Sequence, residues 1–393
     1  MQAVVTGMGC VSPLGTDVLA FEERLFAGEC GLSPIRRFDT EGLRNSLAGE
    51  IDPIPDAPAW ARVDPAVSPE LVFLLRAVQE ALEAAGDPDL GGTVGLVLST
   101  NFAGSTAIDS YFGGQTEGGA DLARARFDAG PKLLVEGLGL RGPATTLSIS
   151  CASGTSAVAL AADWVRSGRV PVAIAAGYDA LSLHLMSGLS ILRTVSTDTC
   201  RPFDKDRSGT IFSEGAAALV IESEAHAYGR GATAHAQVLG GADTNNAYHL
   251  TAPDKEGEGI ELCVRRALDR AGVRPEEIDY VNAHGTATVY HDVTEVRAIK
   301  QVLGTRAREI PVSSIKGACG HLMGAAGTIE IVASLLAMAR QEVPPTVNLE
   351  EPDPDCDLDH VPGSARPAQV DTVLTNSAGI GGSNASLLLR RIA

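Results

Sequence analysis

Short runs of β-branched and apolar residues recur along the chain at 3–7 (AVVTG), 94–100 (VGLVLST), 144–150 (ATTLSIS), 170–177 (VPVAIAAG), 217–223 (AALVIES) and 236–242 (AQVLGGA). Later runs follow at 280–285 (YVNAHG), 310–315 (IPVSSI) and 372–377 (TVLTNS). Several are almost wholly apolar instead of alternating, the pattern of strands covered on both faces. Between them lie stretches with apolar positions at helical spacing. One opens at Ser68-Pro69-Glu70 and stops at Gly86, and another runs from Gly259 to Ala271 and stops at Gly272; Pro inside the start and Gly past the end are helix punctuation. Strands alternating with helices predict a layered α/β architecture.

Two segments read alike. Residues 144–177 run strand, Cys-containing turn, small-residue helix, strand, and residues 309–349 run strand, turn with His321, small-residue helix, extended segment. Self-similarity of this kind predicts an internal duplication, with halves 1–228 and 229–393 meeting in the polar, Gly-containing stretch 223–233. A length of 393 residues suits two such halves. Residues 38–68 and 108–143 fit the alternation poorly and read as insertions, a cap or a dimer arm.

Composition narrows the choice of function. The net charge of −18 disfavours attraction to nucleic acid or anionic membranes. The seven Cys (10, 30, 151, 200, 263, 319, 356) are scattered without a C-x-x-C pair, which fits neither a disulfide framework nor a Cys-rich zinc site and points to a reducing cytoplasm. The N-terminus lacks a basic leader, and no run approaches about 18 apolar residues, so a soluble cytoplasmic protein is expected. Only five Lys occur (132, 205, 255, 300, 316), so a Lys inside a motif stands out.

Cys151 sits where the strand TLSIS meets the helix ASGTSAVALAADWV. A thiol at a helix N-terminus feels the positive end of the macrodipole, which lowers its pKa and makes it a nucleophile; the plainer reading is one more buried Cys. His284, in YVNAHGTAT, follows a strand, and His321, in KGACGHLMGAAG, lies in a Gly-rich turn opening a helix. The other His (184, 226, 235, 249, 291, 360) stand in helical, polar or loop contexts. Under a pseudo-twofold, Cys151 and His321 fall at equivalent turns and one thiol and two imidazoles converge. Three chemistries use such a set. A metal site is disfavoured by ligands on three separate turns. A Cys-His hydrolase would take Asn384 as its orienting group and leave one His without a role. A decarboxylative condensation needs both imidazoles, as donors to a thioester carbonyl that becomes an enolate. GIGGSN at 379–384 is no dinucleotide fingerprint, because only ASLLLRRIA follows it and no βαβ unit fits.

Six ordered motifs carry a family resemblance: VVTGMGCVSPLG (4–15), SISCASGTSA (148–157), RPFDKDRSG (201–209), NAHGTAT (282–288), SSIKGACGHLMGAAG (313–327) and GIGGSNAS (379–386). In order and spacing they resemble the β-ketoacyl-acyl carrier protein synthases, above all the elongating type II enzymes and type II polyketide ketosynthases. The resemblance implies a thiolase fold, two pseudo-twofold-related βαβ-type halves layered α-β-α-β-α, working as a homodimer or as a heterodimer with a ketosynthase-like subunit. It implies that Cys151 takes the acyl chain from an acyl carrier protein, with the N–H groups of Cys151 and Ile380 as oxyanion hole. His284 and His321 would bind the malonyl carbonyl, and Lys316 would pair with Glu330. Thr286 and Thr288 would bind the pantetheine arm, and Phe102, Phe203, Ile380 and Gly381 would shape the substrate site. No metal and no cofactor is implied beyond the pantetheine carried by the partner. Initiating synthases, with Asn in place of one His, and chain-length factors, without the nucleophile, fit less well.

The chain also departs from the family pattern. Ile380 stands for the Phe of G-F-G-G, a gating residue; Val289 stands for a Pro, Ser208 for an Asp and Ser213 for a Gly. Phe102 occupies a position that shapes the acyl pocket and predicts a short or shape-restricted chain. Docking an acidic carrier calls for a local basic patch, and Arg36-Arg37, Arg124 with Arg126, and Arg265-Arg266 are the candidates. Residues 52–70 hold Arg62 as their only basic residue, which favours a dedicated carrier in a specialised pathway. The rival readings are a subunit active only beside a chain-length-factor-like partner and a Cys-His acyltransferase or hydrolase.

Overall fold

The computed structural model describes all residues except 62, 64–67, 115–120, 193 and 393, so Arg62 and part of each expected insertion lie outside the described residues. Ten strands form one hydrogen-bonded sheet: β1 (Ala3–Val11), β2 (Val94–Ser99), β3 (Ala144–Leu147), β4 (Val172–Asp179), β5 (Gly215–Ser223), β6 (Ala236–Asn245), β7 (Tyr280–Asn282), β8 (Val312–Ser313), β9 (Thr372–Ala378) and β10 (Ser383–Arg391). The spatial order is β8-β7-β9-β10-β6-β1-β5-β4-β2-β3.

The order contains a repeat. From β1 outward it reads β1-β5-β4-β2-β3, with two antiparallel and then two parallel pairings. From β6 outward, β6-β10-β9-β7-β8 shows the same sequence of pairings. The halves are joined by a short antiparallel ladder, Ala3↔Val238 to Val5↔Ala236.

Period-two alternation on apolar strands explains the layering. On β5, Ala217, Leu219 and Ile221 turn to one side, where they meet helices α2 (Ser153–Arg166) and α5 (Ala326–Arg340), together with Leu387 and Leu389 of β10. Ala216, Ala218 and Val220 turn to the other side, onto Leu71, Leu74 and Val78 of α1 (Pro69–Ala84). In the second half Leu374 and Leu388 face outward onto α3 (Glu258–Ala271) and α4 (His291–Leu303). The result is α-β-α-β-α, with α2 and α5 in the middle. At their first turns these two helices touch backbone to backbone: a Cβ on Gly154 would lie 2.7 Å from Thr328 N, and one on Gly327 2.3 Å from Thr155 N.

Several expectations change. Residues 383–391 form β10, in the middle of its half-sheet, a strand absent from the runs that the apolar pattern singled out. Met323–Arg340 is apolar enough over 18 residues to cross a membrane, against the expectation that no such run exists, but 89% of it is buried inside the protein as a core helix. The stretch 108–143 is not wholly irregular: it contains the helix Ala129–Leu138, whose Leu134 joins the core around α1.

Candidate active site

The chain leaves β3 and turns sharply into α2. Ser150 takes a left-handed φ of 59°, a strained state for a non-glycine residue that is held only by its surroundings. Here the Ser153 hydroxyl does the holding, accepting from Ile149 N (2.8 Å) and donating to Ser150 O (2.5 Å). The turn sets Cys151 two residues before the helix starts. Cys151 is 8% exposed, and burial pushes its thiol up to about 12, with Lys316 pulling the other way. The expectation of a lowered thiol pKa is therefore corrected: desolvation outweighs the nearby positive charge.

The second half supplies the imidazoles. Glu295 on α4 accepts from His284 N (2.8 Å) and Gly285 N (2.9 Å), fixing the loop after β7. Lys316, fully buried, donates to His284 O (2.6 Å), reaches His284 Nδ1 (3.3 Å) and forms an ion pair with the equally buried Glu330. Burial pushes the Glu330 carboxyl up to about 7 while Lys316 opposes it. An ammonium can only donate, so His284 Nδ1 accepts and Nε2 carries the proton. His321 Nδ1 likewise accepts from Met323 N (3.2 Å), which places its proton on Nε2 as well. The two rings stand nearly perpendicular, 85°, with centroids 5.5 Å apart. Burial, reinforced by Lys316, holds both well below the usual histidine range, so both are neutral N–H donors.

Cys151, His284 and His321 line one cavity of about 910 Å³ including its open mouth. Thr286, Thr288, Phe102 and Ile380 line it too. The Ile380 turn lies against Cys151: a Cβ on Gly379 would sit 3.0 Å from Cys151 N. Lys316 and Glu330 stand behind the wall instead of on it and act through His284. Gly381 is off the wall, in a turn at φ 92° where its N–H meets Leu250 O (2.8 Å). Phe203 is corrected as a pocket residue: it is fully buried and stacks on His360 at 3.8 Å. Asn384 reaches the cavity, but its amide donates to Asn246 Oδ1 (2.6 Å) and Thr244, so among the described residues it orients no histidine as a hydrolase would require.

Two residues escaped sequence reasoning. His291 lines the cavity, 5.0 Å edge-to-face from His284, with Nε2 3.6 Å from Glu295; its i,i+4 spacing to Glu295 was the available signal. Asp179, fully buried at the end of β4, accepts from Thr100 Oγ1 (2.6 Å), Phe102 N (3.0 Å) and Gly324 N (2.7 Å). It ties the Phe102 turn to the turn after His321, and burial pushes it up to about 6. Ser213 also gains an explanation: it packs between Gly49 and Gly320, where a Cβ would fall 2.2 and 1.8 Å from its hydroxyl oxygen. Nothing in the structure explains Val289. Among the described residues no three His, Cys, Asp or Glu are grouped to hold a metal ion.

Comparison with known proteins places this geometry in a family. Residues 2–227 match the beta-ketoacyl synthase N-terminal domain and residues 235–350 its C-terminal domain. The chain is 36% identical over 415 residues to 3-oxoacyl-[acyl-carrier-protein] synthase 2 of Coxiella burnetii (100% of this chain, 99% of that protein). It is 38% identical over 419 residues to putative polyketide beta-ketoacyl synthase 1 of Streptomyces cyaneus (99% and 97%). The solved ishigamide ketosynthase/chain length factor superposes with a TM-score of 0.91 at 35% identity, covering 100% of this chain and 99% of that one. With matched domains on both sides of the cavity and full-length relatives above 30% identity, the chain belongs to the β-ketoacyl synthase family, with its thiolase fold.

Proposed function

We propose that the protein joins an acyl group to malonyl-acyl carrier protein by decarboxylative Claisen condensation, giving a β-ketoacyl-acyl carrier protein two carbons longer, in fatty acid or type II polyketide biosynthesis. Cys151 Sγ attacks the acyl thioester, its proton leaves with the carrier's thiol, and the acyl group stays on sulfur. The malonyl thioester carbonyl then accepts hydrogen bonds from His284 and His321 Nε2. Loss of carbon dioxide leaves the electron pair as an enolate on that carbonyl, and its carbon attacks the acyl-Cys151 carbonyl. The N–H groups of Cys151 and Ile380 receive that second oxyanion, and its collapse breaks the C–S bond. Thr286 and Thr288 hold the pantetheine arm, which the carrier brings with it; the enzyme supplies no cofactor of its own.

One observation carries this reading: two neutral imidazoles, each with its proton set on Nε2 by a buried donor to Nδ1, share a cavity with the thiol. A hydrolase has no use for the second. The chain functions as two halves, 1–228 and 229–393, beside a second subunit in the cytoplasm. Exposed Phe127, whose carbonyl accepts from Thr146 Oγ1 (3.2 Å) of the half-exposed edge strand β3, suits a subunit partner, identical or ketosynthase-like. Mass spectrometry of carrier-bound species after incubation with malonyl-carrier and a panel of acyl-carriers tests the reaction. A product two carbons longer, absent with Cys151→Ala, is expected; thioester hydrolysis in its place overturns the reading. The size of the protein expressed alone distinguishes a homodimer from a monomer awaiting its partner.

A further inference from the structure

The cavity has two unlike walls. Thr286 and Thr288 stand on the side given to the pantetheine arm, whereas Phe102, Leu189, Phe212 and Met323 belong to one apolar cluster that also holds Val195. That apolar wall begins at the chemistry, because Phe212 lies against His321 with ring centroids 5.6 Å apart. An acyl chain on Cys151 runs along it.

Two threonines interrupt this wall. Thr194 and Thr210 both line the cavity, and the main chain fixes them to each other: Thr210 N donates to Thr194 O (2.8 Å) and Ser196 N to Thr210 O (2.9 Å). His321 N donates to Ile211 O (2.8 Å), so the same segment is tied to a reacting imidazole. Alternation along the extended chain turns Thr210 and Phe212 toward the cavity and Ile211 away, onto Cys200 and Ala287. Thr210 is 3% exposed and both hydroxyl oxygens are buried, yet among the described residues neither has a hydrogen-bond partner. The Cys200 thiol beside Thr210 is kept protonated by burial and is a weak partner. Polar groups just behind the wall are matched, by contrast: Ser196 Oγ donates to Asp198 (2.7 Å) and meets Ser208 Oγ (2.8 Å). An unmatched buried hydroxyl is a cost that a hydrocarbon chain cannot remove and an oxygen-bearing chain can.

We propose that Thr194 and Thr210 select an acyl chain bearing a hydroxyl or oxo oxygen over an all-hydrocarbon chain of the same length, by hydrogen-bonding that oxygen from the cavity wall. The proposal rests on the condensing reading above and narrows its substrate. Each hydroxyl can donate to a carbonyl or accept from a hydroxyl, so both oxidation levels fit. The apolar side chains around the pair strengthen each bond. A site built to bond an oxygen rejects the analogue lacking it far more strongly than an apolar pocket rejects an added oxygen.

The test follows acylation of Cys151 by intact-protein mass, with hexanoyl-pantetheine in competition with its 3-hydroxy, 5-hydroxy and 5-oxo derivatives. At least one oxygenated chain should load about tenfold or more faster than hexanoyl. Thr194→Val/Thr210→Val, which keeps the branched shape, should bring that ratio to about one or below, by slowing the oxygenated chain and speeding hexanoyl. Thr210→Ser keeps the hydroxyl and should keep the preference. Equal loading across the panel overturns the proposal, as does a preference that the double variant leaves intact, whatever its melting temperature. Should the double variant fail to fold, Thr194→Val and Thr210→Val read the same ratio singly. Malonyl-carrier is then added to the loaded enzyme. Loading with the expected preference but no elongated product overturns the condensing reading and leaves the selection standing, whereas no loading by any chain overturns both.

Discussion

The turn after β3 and the turn after β8 hold equivalent places in the two half-sheets, yet five residues (148–152) lead from the first strand to its helix and twelve (314–325) from the second. The short turn has room for one reactive group. Ser150 adopts its left-handed φ, Cys151 follows, and α2 begins. The long turn has room for a four-residue helix, Lys316–Cys319, and then His321, so it brings both a buried ammonium and an imidazole. One frame therefore yields two kinds of site. The tight turn presents a thiol beside backbone N–H groups, and the roomy turn holds charges and donors that must be buried in pairs. Turn length between duplicated strand ends divides the chemistry.

That contrast can be broken from either side. The largest effect is expected from Cys151→Ala, which removes the short turn's only reactive group; elongated product should fall at least about 10⁴-fold, read by mass spectrometry, with the melting temperature unchanged. Lys316→Met strikes the long turn's buried pair and leaves Glu330 in the interior without its cation. Stability should fall by about 3–5 kcal/mol in denaturant titration. Adding Glu330→Gln should restore much of it; no recovery would refute the pairing.

His321→Ala is aimed at the donor alone. Condensation should drop about 10²–10³-fold while acyl-Cys151 still forms, separating the turns by half-reaction. Gly327→Ala pushes a methyl into Thr155 N, where the two turns' helices meet, and should cost about 1–3 kcal/mol. The mildest change is one of pH. A buried thiol at about 12 exposes more thiolate with every step upward, so alkylation of Cys151 should quicken about tenfold per unit from pH 7 to 10. A plateau below pH 8 would show that the helix N-terminus outweighs burial.

Strand runs were legible because they are apolar on both faces, and the 144–177/309–349 likeness showed in the residues because the same strand, turn and small-residue helix must pack around one centre. Cys151, His284 and His321 were legible because each sits in a strand-to-loop context with small neighbours. The collapse of Phe203 into the core was not: the residue is local in RPFDKDRSG, but its partner His360 is more than 150 positions away. His291 hid inside the amphipathic pattern of α4, where a polar residue in the first turn looks like any other. β10 went unseen because its Ser-Asn-Ala start reads as a loop, and its neighbours β9 and β6 are supplied by tertiary structure.

Gly154 and Gly327, where the central helices meet, have an evolutionary consequence. The separation of sulfur from imidazole rests on main-chain contact at that crossing, since each glycine leaves no side chain to compress or swap. The walls of the cavity enjoy no such protection: Phe102, Leu189 and Ile380 can drift in size without moving the reacting groups. A lineage built on this crossing can explore new acyl shapes one wall residue at a time, keeping its bond-making geometry throughout.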